Sequence, residues 1–504
     1  MGTGTAVVWL RNDLRLSDNP ALSAAAASYD TVAPVFVWSP DEAGAWSPGT
    51  ASRSWLALSL ASLFVDIGRL GGHLSILAGP TASALLGFAR ATGATVVYWN
   101  RRYEPALAAL DAHVERRLAA AGVRVHVFAG SLLREPEALT TGSGSPYQVF
   151  TPFMNAGLRA APVDPPIAAP SLLVSPHTLP TGLRPQDIAG TSRRSRPLGT
   201  SRSGLRPQDI AGTSRSGPDL SLMWSPGESG AARAAASFFG EIVDDYGENR
   251  NRPDRLGTSR LSPHIAFGEI SSRTLLQQAN AIVSCNGSCH ISAGAEAFVR
   301  QLYWREFAYH ILHHHPHTPE RPLRNSFDVF PWSRDPGALE AWQSGMTGYP
   351  IVDAGMRELL ATGWMHNRVR MLVASLLTKD LLLPWVDGAR WFWERLADAD
   401  LANNTFGWQW VAGCGADAAP YFRIFNPVLQ GERFDPDGAY VKRWVPELEA
   451  LPAAWVHRPW GAPSGVLASA GITLGREYPQ PIVDHASARL RALAVYGSLR
   501  DIVK

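Results

Sequence analysis

The sequence predicts an N-terminal α/β domain on a doubly wound parallel sheet, joined to a mostly helical C-terminal domain. Three observations carry that prediction. Over residues 1–135, short β-rich runs alternate with Ala- and Leu-rich helical stretches. Between 136 and 230 the composition shifts to Pro, Gly, Ser and Thr. From about 231 to 504, apolar residues recur three and four apart.

The elements follow in order. "AVVWL" (6–10), "VAPVFVW" (32–38), "HLSILAG" (73–79), "TVVYWN" (95–100) and "VRVHVFAG" (123–130) read as strands. Helical spacing lies between them, as at 54–70 and 105–121, and "DNPAL" puts Pro20 just inside a helix start. Neither a G-x-G-x-x-G turn nor a G-x-x-x-x-G-K-[ST] loop is present, so the usual phosphate fingerprints are missing. "GLRPQDIAGTSR" occurs at 182–193 and again at 204–215, which reads as a duplicated piece of flexible linker. The helical part holds "ARAAASFFGEIVDDY", "ISAGAEAFVRQLYWREFAYHILHH", "YPIVDAGMRELLATG" and "HNRVRMLVASLLTKDLLL".

Composition narrows the class. The 504 residues, 46% of them hydrophobic, suffice for more than one core. A net charge of +2 names no partner, so any nucleic-acid affinity must come from a local patch. Lysine occurs at Lys379, Lys442 and Lys504, and every other basic residue is Arg. Arg suits bidentate phosphate contacts, although a codon bias favouring Ala, Gly and Pro accounts for it as well. Cys285, Cys289 and Cys414 are too few for a disulfide framework and fit a reducing cytosol. No uncharged apolar run approaches the about 18 residues of a membrane span. Arg11 arrives before a signal-peptide core could form, so the expected location is cytoplasmic.

Several segments carry side chains capable of chemistry. In "GTSRLSPHIAFGEI" (257–270), Thr258, Ser259 and Ser262 can cap a helix whose free N–H groups attract anions, and Arg260 adds charge. Alone this is an ordinary cap. Gln301, Trp304 and Arg305 share a helical face, which reads equally as a surface stripe. Asn367, Arg370 and Met371 share another, with Asp398 and Asp400 as candidate carboxylates for a buried Arg. His310, His313 and His314 are spaced for a metal, but Pro316 ends the helix there, and cations favour a helix C-terminus; no metal is expected. Trp332, Trp385 and Trp408 each read as core.

Taken together, "VVWLRNDLRLSDNPAL", "TSRLSP", "WREF", "TGYPIVDAGMREL", "MHNRVRM", "GWQWVAGCGADAAPYFRIFNP" and "YPQPIVDH" resemble the photolyase/cryptochrome flavoproteins. The likeness is most to a class I cyclobutane pyrimidine dimer photolyase. It implies that the helical domain binds FAD and damaged DNA, that reduced FAD passes an electron to the dimer under blue light, and that the electron returns after the ring splits. By the resemblance, Tyr246, Thr258, Ser259, Arg260, Leu261 and Ser262 hold the diphosphate and ribitol. Trp364, Asn367, Arg370, Asp398 and Asp400 line the flavin, and Asn404 faces its N5. Trp304 and Trp410 wall the dimer pocket, with Gln301, Asn367 and Met371 touching the lesion. Trp408, Trp385 and Trp332 form an electron chain from inside to surface. Arg250, Arg305, Arg368, Arg423 and Gln430 contact DNA. The base flipping used by photolyases is itself an example given for that general mechanism.

The resemblance also implies a second, light-harvesting chromophore, a reduced folate, a deazaflavin or another flavin, for which Asn100 and Glu104 in "NRRYEP" are loose candidates. Many dimer-repair members carry Glu where this chain has Gln301, whose amide donates at any pH but transfers no proton. Gln there also occurs in the (6-4) repair branch. That branch needs a histidine pair where this chain has Asn367 and Met371, and His366 is out of register. A cryptochrome-like receptor is the third reading; only eight residues follow Tyr496, short for a signalling tail. The expected state is a monomer.

Overall fold

The computed structural model describes residues 2–189, 219–285, 289–418 and 423–502. Its N-terminal part is a five-stranded sheet of order β3-β2-β1-β4-β5. The strands are β1 (Gly2–Leu10), β2 (Tyr29–Trp38), β3 (Ser75–Ala78), β4 (Val96–Asn100) and β5 (Arg124–Phe128). All four pairings are parallel, with Ala6 opposite both Val32 and Val96. Helices α1 (Pro20–Ser28), α2 (Thr50–Arg69), α3 (Thr81–Thr92) and α4 (Pro105–Ala120) supply the crossovers. Central β4 is buried along its length, while edge strand β5 carries exposed positions. Pro34 is tolerated in β2 because pairing with β3 begins only at Val35.

The strand order reverses between β1 and β4, and the crevice beyond their C-terminal ends is where such sheets hold ligands. The loop after β1 is fixed there by buried polar bonds. Asn100 Nδ2 donates to Asp13 Oδ2 at 2.6 Å and to Asn19 Oδ1 at 2.8 Å.

The stretch expected as flexible linker is built into the fold wherever it is described. Leu173 and Ile188 are buried in the α/β core, and Leu183 N–H donates to the Ile76 carbonyl at 2.6 Å. Leu220 and Trp224 join the same cluster. Apolar anchors, not composition, decide its path. Most of the second copy of the duplication lies outside the described residues.

The C-terminal part is helical, with one departure: Val283–Cys285 and Cys289–Ile291 pair as an antiparallel ribbon. Its central helices are Ala293–His314, Pro350–Thr362, Asn367–Ser375, Trp385–Arg395 and Leu401–Ala412. Two apolar clusters fill it. One centres on Trp342, Met356, Leu376 and Trp408, and the other on Phe150, Phe238, Phe298 and Phe307. Among the described residues no helix is long and apolar enough to cross a membrane.

Candidate active site

The 258–262 loop is strained where the resemblance places a cofactor. Arg260 has φ of 51°, which a non-glycine residue adopts only when its surroundings enforce it. They do: its guanidinium lies 4.6 Å from the ring centroids of both Trp224 and Trp364. Trp364 donates to Ser262 Oγ at 3.1 Å. The expected side-chain cap does not form. Ser262–Ala266 is a five-residue helix with no capping side chain, and Ser259 Oγ instead accepts from Leu261 N–H at 3.4 Å. Thr258 is half-buried and Leu261 wholly buried. Tyr246 packs against Phe238 and Phe298, and burial raises its hydroxyl pKa.

Next to this loop stands a buried ionic group. Arg370 pairs with Asp398 at 2.7 Å and donates to the Met365 carbonyl at 2.8 Å. The second oxygen of Asp398 is buried without a partner, as are Arg260 Nε and His366 Nε2. Glu358, between Arg260 and Arg370 in charge, accepts from the Tyr440 hydroxyl at 2.7 Å, and burial raises its pKa. His366 caps the Asn367–Ser375 helix through Nδ1, accepting from Arg368 N–H at 3.1 Å. Burial, then Arg368, Arg370 and Arg250, push its pKa down to about 3, so it is neutral near pH 7.

Asp400 caps the Leu401–Ala412 helix, accepting from Asn403 N–H at 2.9 Å. Its other oxygen accepts from the Tyr309 hydroxyl at 2.6 Å. Asn404, half-buried, donates to the Ala389 carbonyl at 3.0 Å. Buried donors and acceptors left unpaired are rare, and three together mark room for a polar ligand. A flat, hydrogen-bonding cofactor with a diphosphate fits that set: Asp398 Oδ1 awaits a donor, and Arg260 awaits an acceptor.

Gln301 is half-buried, with Nε2 donating to the Ala297 carbonyl at 3.1 Å. Trp304 stacks on Phe150 at 3.5 Å and lies 5.7 Å from Phe406. Asn367 is exposed at the first turn of its helix; Met371, one turn on, touches Arg368. Trp410 is half-buried against the C-terminal core. Trp408 and Trp385 are buried and Trp332 is half-buried. Phe392 and Trp342 lie 5.0 and 6.1 Å from Trp408.

Four arginines gather on one face. Arg368 feels Arg250, Arg433 and Arg423, and burial with their repulsion lowers its pKa. It donates to Asn251 Oδ1 at 2.6 Å and covers the Phe434 ring at 4.6 Å. Gln430 lies on the Pro427–Phe434 helix with Arg433. Arg305 does not join them. Its guanidinium is buried, donates to the Ser131 carbonyl at 3.0 Å, and lies over Tyr309 at 4.7 Å. The expected DNA contact from Arg305 is therefore corrected: its helix face is covered by the α/β domain.

A cleft opens at the sheet's switch point, lined by Asn12, Arg102, Tyr103, Glu104, Ser271, Ser272, Arg305 and Tyr309. Glu104 is held by Arg102 at 2.5 Å, and the charge of Arg102 lowers its pKa against burial. Asn100 is spent on Asp13 and Asn19. In the histidine cluster, His310 is bound to the Pro136 carbonyl and the Tyr147 amide, both at 3.0 Å.

Sequence reasoning missed Trp224, Glu358, Tyr440 and Tyr309. Trp224 hid in a Pro- and Ser-rich stretch. Tyr309 could have been found, since it lies one helical turn beyond Arg305.

Residues 298–498 match the model for the FAD binding domain of DNA photolyase, and residues 6–171 match the DNA photolyase model. The chain is 43% identical to a deoxyribodipyrimidine photo-lyase of Agrobacterium fabrum, over 99% of this chain and 98% of the relative. It is 38% identical to cryptochrome-1 of Arabidopsis thaliana, over 97% of this chain and 70% of the relative. The solved structure of a bacterial class III photolyase from Agrobacterium tumefaciens superposes with a TM-score of 0.90 at 42% identity, covering 99% of this chain and 98% of that one. A cryptochrome of Synechocystis gives 0.84 at 28% identity, covering 98% and 99%. The expectation of a class I likeness is therefore corrected: the neighbour at 0.90 is class III.

Proposed function

The chain belongs to the DNA photolyase and cryptochrome family, and from that premise we propose that it is a class III-type deoxyribodipyrimidine photo-lyase that splits cyclobutane pyrimidine dimers in DNA under blue light. Its C-terminal domain is an FAD-binding domain. One observation carries the reading: buried Asp398 is half-paired with Arg370 and keeps one oxygen unpartnered beside the strained Arg260 loop. When bound, FAD in its reduced state supplies a photoexcitable one-electron donor.

The residues of this chain do the rest. Arg260, Ser259 and Ser262 hold the diphosphate end, with Tyr246 and Leu261 closing the apolar side. Arg370 fixes Asp398, and Tyr309 fixes Asp400, so both carboxylates are set before the cofactor arrives. Asn404 exchanges no proton readily, which suits a site whose flavin must stay anionic. Gln301 donates its amide to the lesion's carbonyls at any pH, between Trp304 and Trp410, with Asn367 and Met371 against the bases. Arg250, Arg368, Arg423 and Gln430 hold the flanking phosphates, and Arg433 joins them. Trp408, Trp385 and Trp332 carry electrons inward to reload the flavin.

Several further readings belong to the same proposal. The domains divide near 135 and 230. The switch-point cleft takes a reduced folate or deazaflavin against Tyr103 and Glu104. The protein works as a cytoplasmic monomer. The second functional reading, a blue-light receptor, is favoured by the 38% identity to the Arabidopsis cryptochrome. The (6-4) reading is weakened by His366, whose Nδ1 is committed to a helix cap. A thymine-dimer oligonucleotide incubated with reduced protein separates them: restored thymines under blue light and none in the dark support dimer repair. No restoration under light, with flavin bound, overturns it.

A further inference from the structure

Trp364 is the first ring of a continuous indole series. Its centroid lies 6.4 Å from Trp224, which lies 5.5 Å from Trp55. Trp55 is fully buried on α2 of the other domain. Its indole N–H donates to Glu269 Oε1 at 3.0 Å, and the other oxygen of Glu269 is bonded to His264 Nδ1. The His264 ring lies 5.2 Å from Trp55. Glu269 and His264 are both buried. Three tryptophans thus run from the flavin loop to a carboxylate–imidazole pair.

The charges along the series favour one direction. Arg260 stands 4.6 Å from both Trp364 and Trp224, and a positive charge there opposes loss of an electron from either ring. At the far end, the Glu269 carboxylate stabilises a cation on Trp55. It is also a base in contact with the one proton an indole radical cation sheds. Trp224 donates to the Thr362 carbonyl and Trp364 to the Ser262 hydroxyl, neither of which takes up a proton comparably. A vacancy that enters at Trp364 therefore runs downhill to Trp55.

We propose that Trp364, Trp224 and Trp55 form a second photoreduction route that ends in a proton-coupled redox site, Trp55–Glu269–His264. Its oxidant is the photoexcited oxidised flavin. One electron leaves Trp55 and, by way of Trp224 and Trp364, reduces the flavin by one electron. The Nε1 proton of Trp55 passes to Glu269 Oε1, leaving a neutral indole radical. The charge pair then cannot recombine until that proton returns. This inference rests on the proposed site, since Trp364 must border the flavin.

The test is flash spectroscopy on the flavin-loaded, oxidised Trp385→Phe protein, which blocks the expected Trp408–Trp385–Trp332 chain. A long-lived neutral tryptophan radical should still form. Adding Trp55→Phe should lower its yield at least tenfold, and Trp224→Phe should do the same if the first variant does not fold. Adding Glu269→Gln should keep the radical in its cationic form and abolish its solvent-deuterium isotope effect. Dimer repair by chemically pre-reduced Trp55→Phe should equal that of the parent. A protein that takes up no flavin overturns the site reading, and the route with it. A flavin-loaded Trp385→Phe protein without the radical, or one whose radical is indifferent to these additions, overturns the route alone.

Discussion

Arg368→Ala tests whether the arginine face reads phosphate. The guanidinium is pinned by Asn251 at 2.6 Å and by the Phe434 ring at 4.6 Å, so it is presented without a large ordering cost. Arg250, Arg423 and Arg433 repel it in the free protein, and a duplex backbone relieves that repulsion. Loss of one phosphate contact lowers the slope of log K against log salt by about 0.9. Between about 50 and 200 mM salt, that difference in slope alone shrinks the gap between parent and variant about 3.5-fold. Fluorescence anisotropy of a labelled duplex over that range measures it. Damaged and undamaged duplexes should lose affinity alike, because phosphate contacts carry no lesion information. Arg368→Lys should recover the slope but only part of the affinity, since an ammonium stacks poorly on Phe434. An unchanged slope in Arg368→Ala, or a loss confined to damaged DNA, refutes the reasoning.

Other perturbations follow from the same geometry. A Cβ on Gly388 would collide with the Trp408 ring, so Gly388→Ala should cost about 1–3 kcal/mol in thermal unfolding and slow flavin photoreduction by displacing that indole. Burial raises the Glu306 pKa from 4.5 to about 7. The stability tied to its protonated form is full below 4.5 and is lost as pH rises through 7. Urea midpoints should therefore show the parent losing about 3 kcal/mol relative to Glu306→Gln between pH 4.5 and 8. Gln301→Ala should weaken binding of a dimer-containing duplex and lower repair yield at every pH, while binding of undamaged duplex stays unchanged.

How far the sequence could be read depended on whether burial was local. Strands β1–β5 were legible because their β-branched runs alternate with helical spacing within one domain. The ribbon at 283–291 was not, since three-residue strands leave no periodicity. Arg370 and Asp398 could be paired in prospect because a buried guanidinium demands a carboxylate. Arg305 was misplaced for the opposite reason. A polar helix face looks the same whether water, DNA or another domain covers it, and here Ser131 and Tyr309 do. Trp224 escaped because its burial depends on Trp55 and Trp364, more than a hundred residues away on either side.

The missing phosphate fingerprint in the α/β domain then has a structural reason. The charged loop after β1, "RNDLRLSDN", is spent on the other domain. Asn12 Nδ2 donates to the Ala266 carbonyl at 2.9 Å, Leu14 N–H to Phe267 at 3.2 Å, and Arg15 to Gly268 at 2.9 Å. Asp18 pairs with Arg273 at 2.7 Å. Gly268 has φ of 65°, and a Cβ there would strike the Asn12 carbonyl, so only glycine allows the approach. The segment being gripped begins four residues after Ser262. A sheet edge that elsewhere would cradle a nucleotide here cradles backbone, and it holds the 258–262 loop in the left-handed turn at Arg260. The strain at Arg260 is thus balanced by interdomain bonds rather than by its own helix, and the α/β domain takes part in cofactor binding without touching the flavin pocket through a phosphate motif of its own.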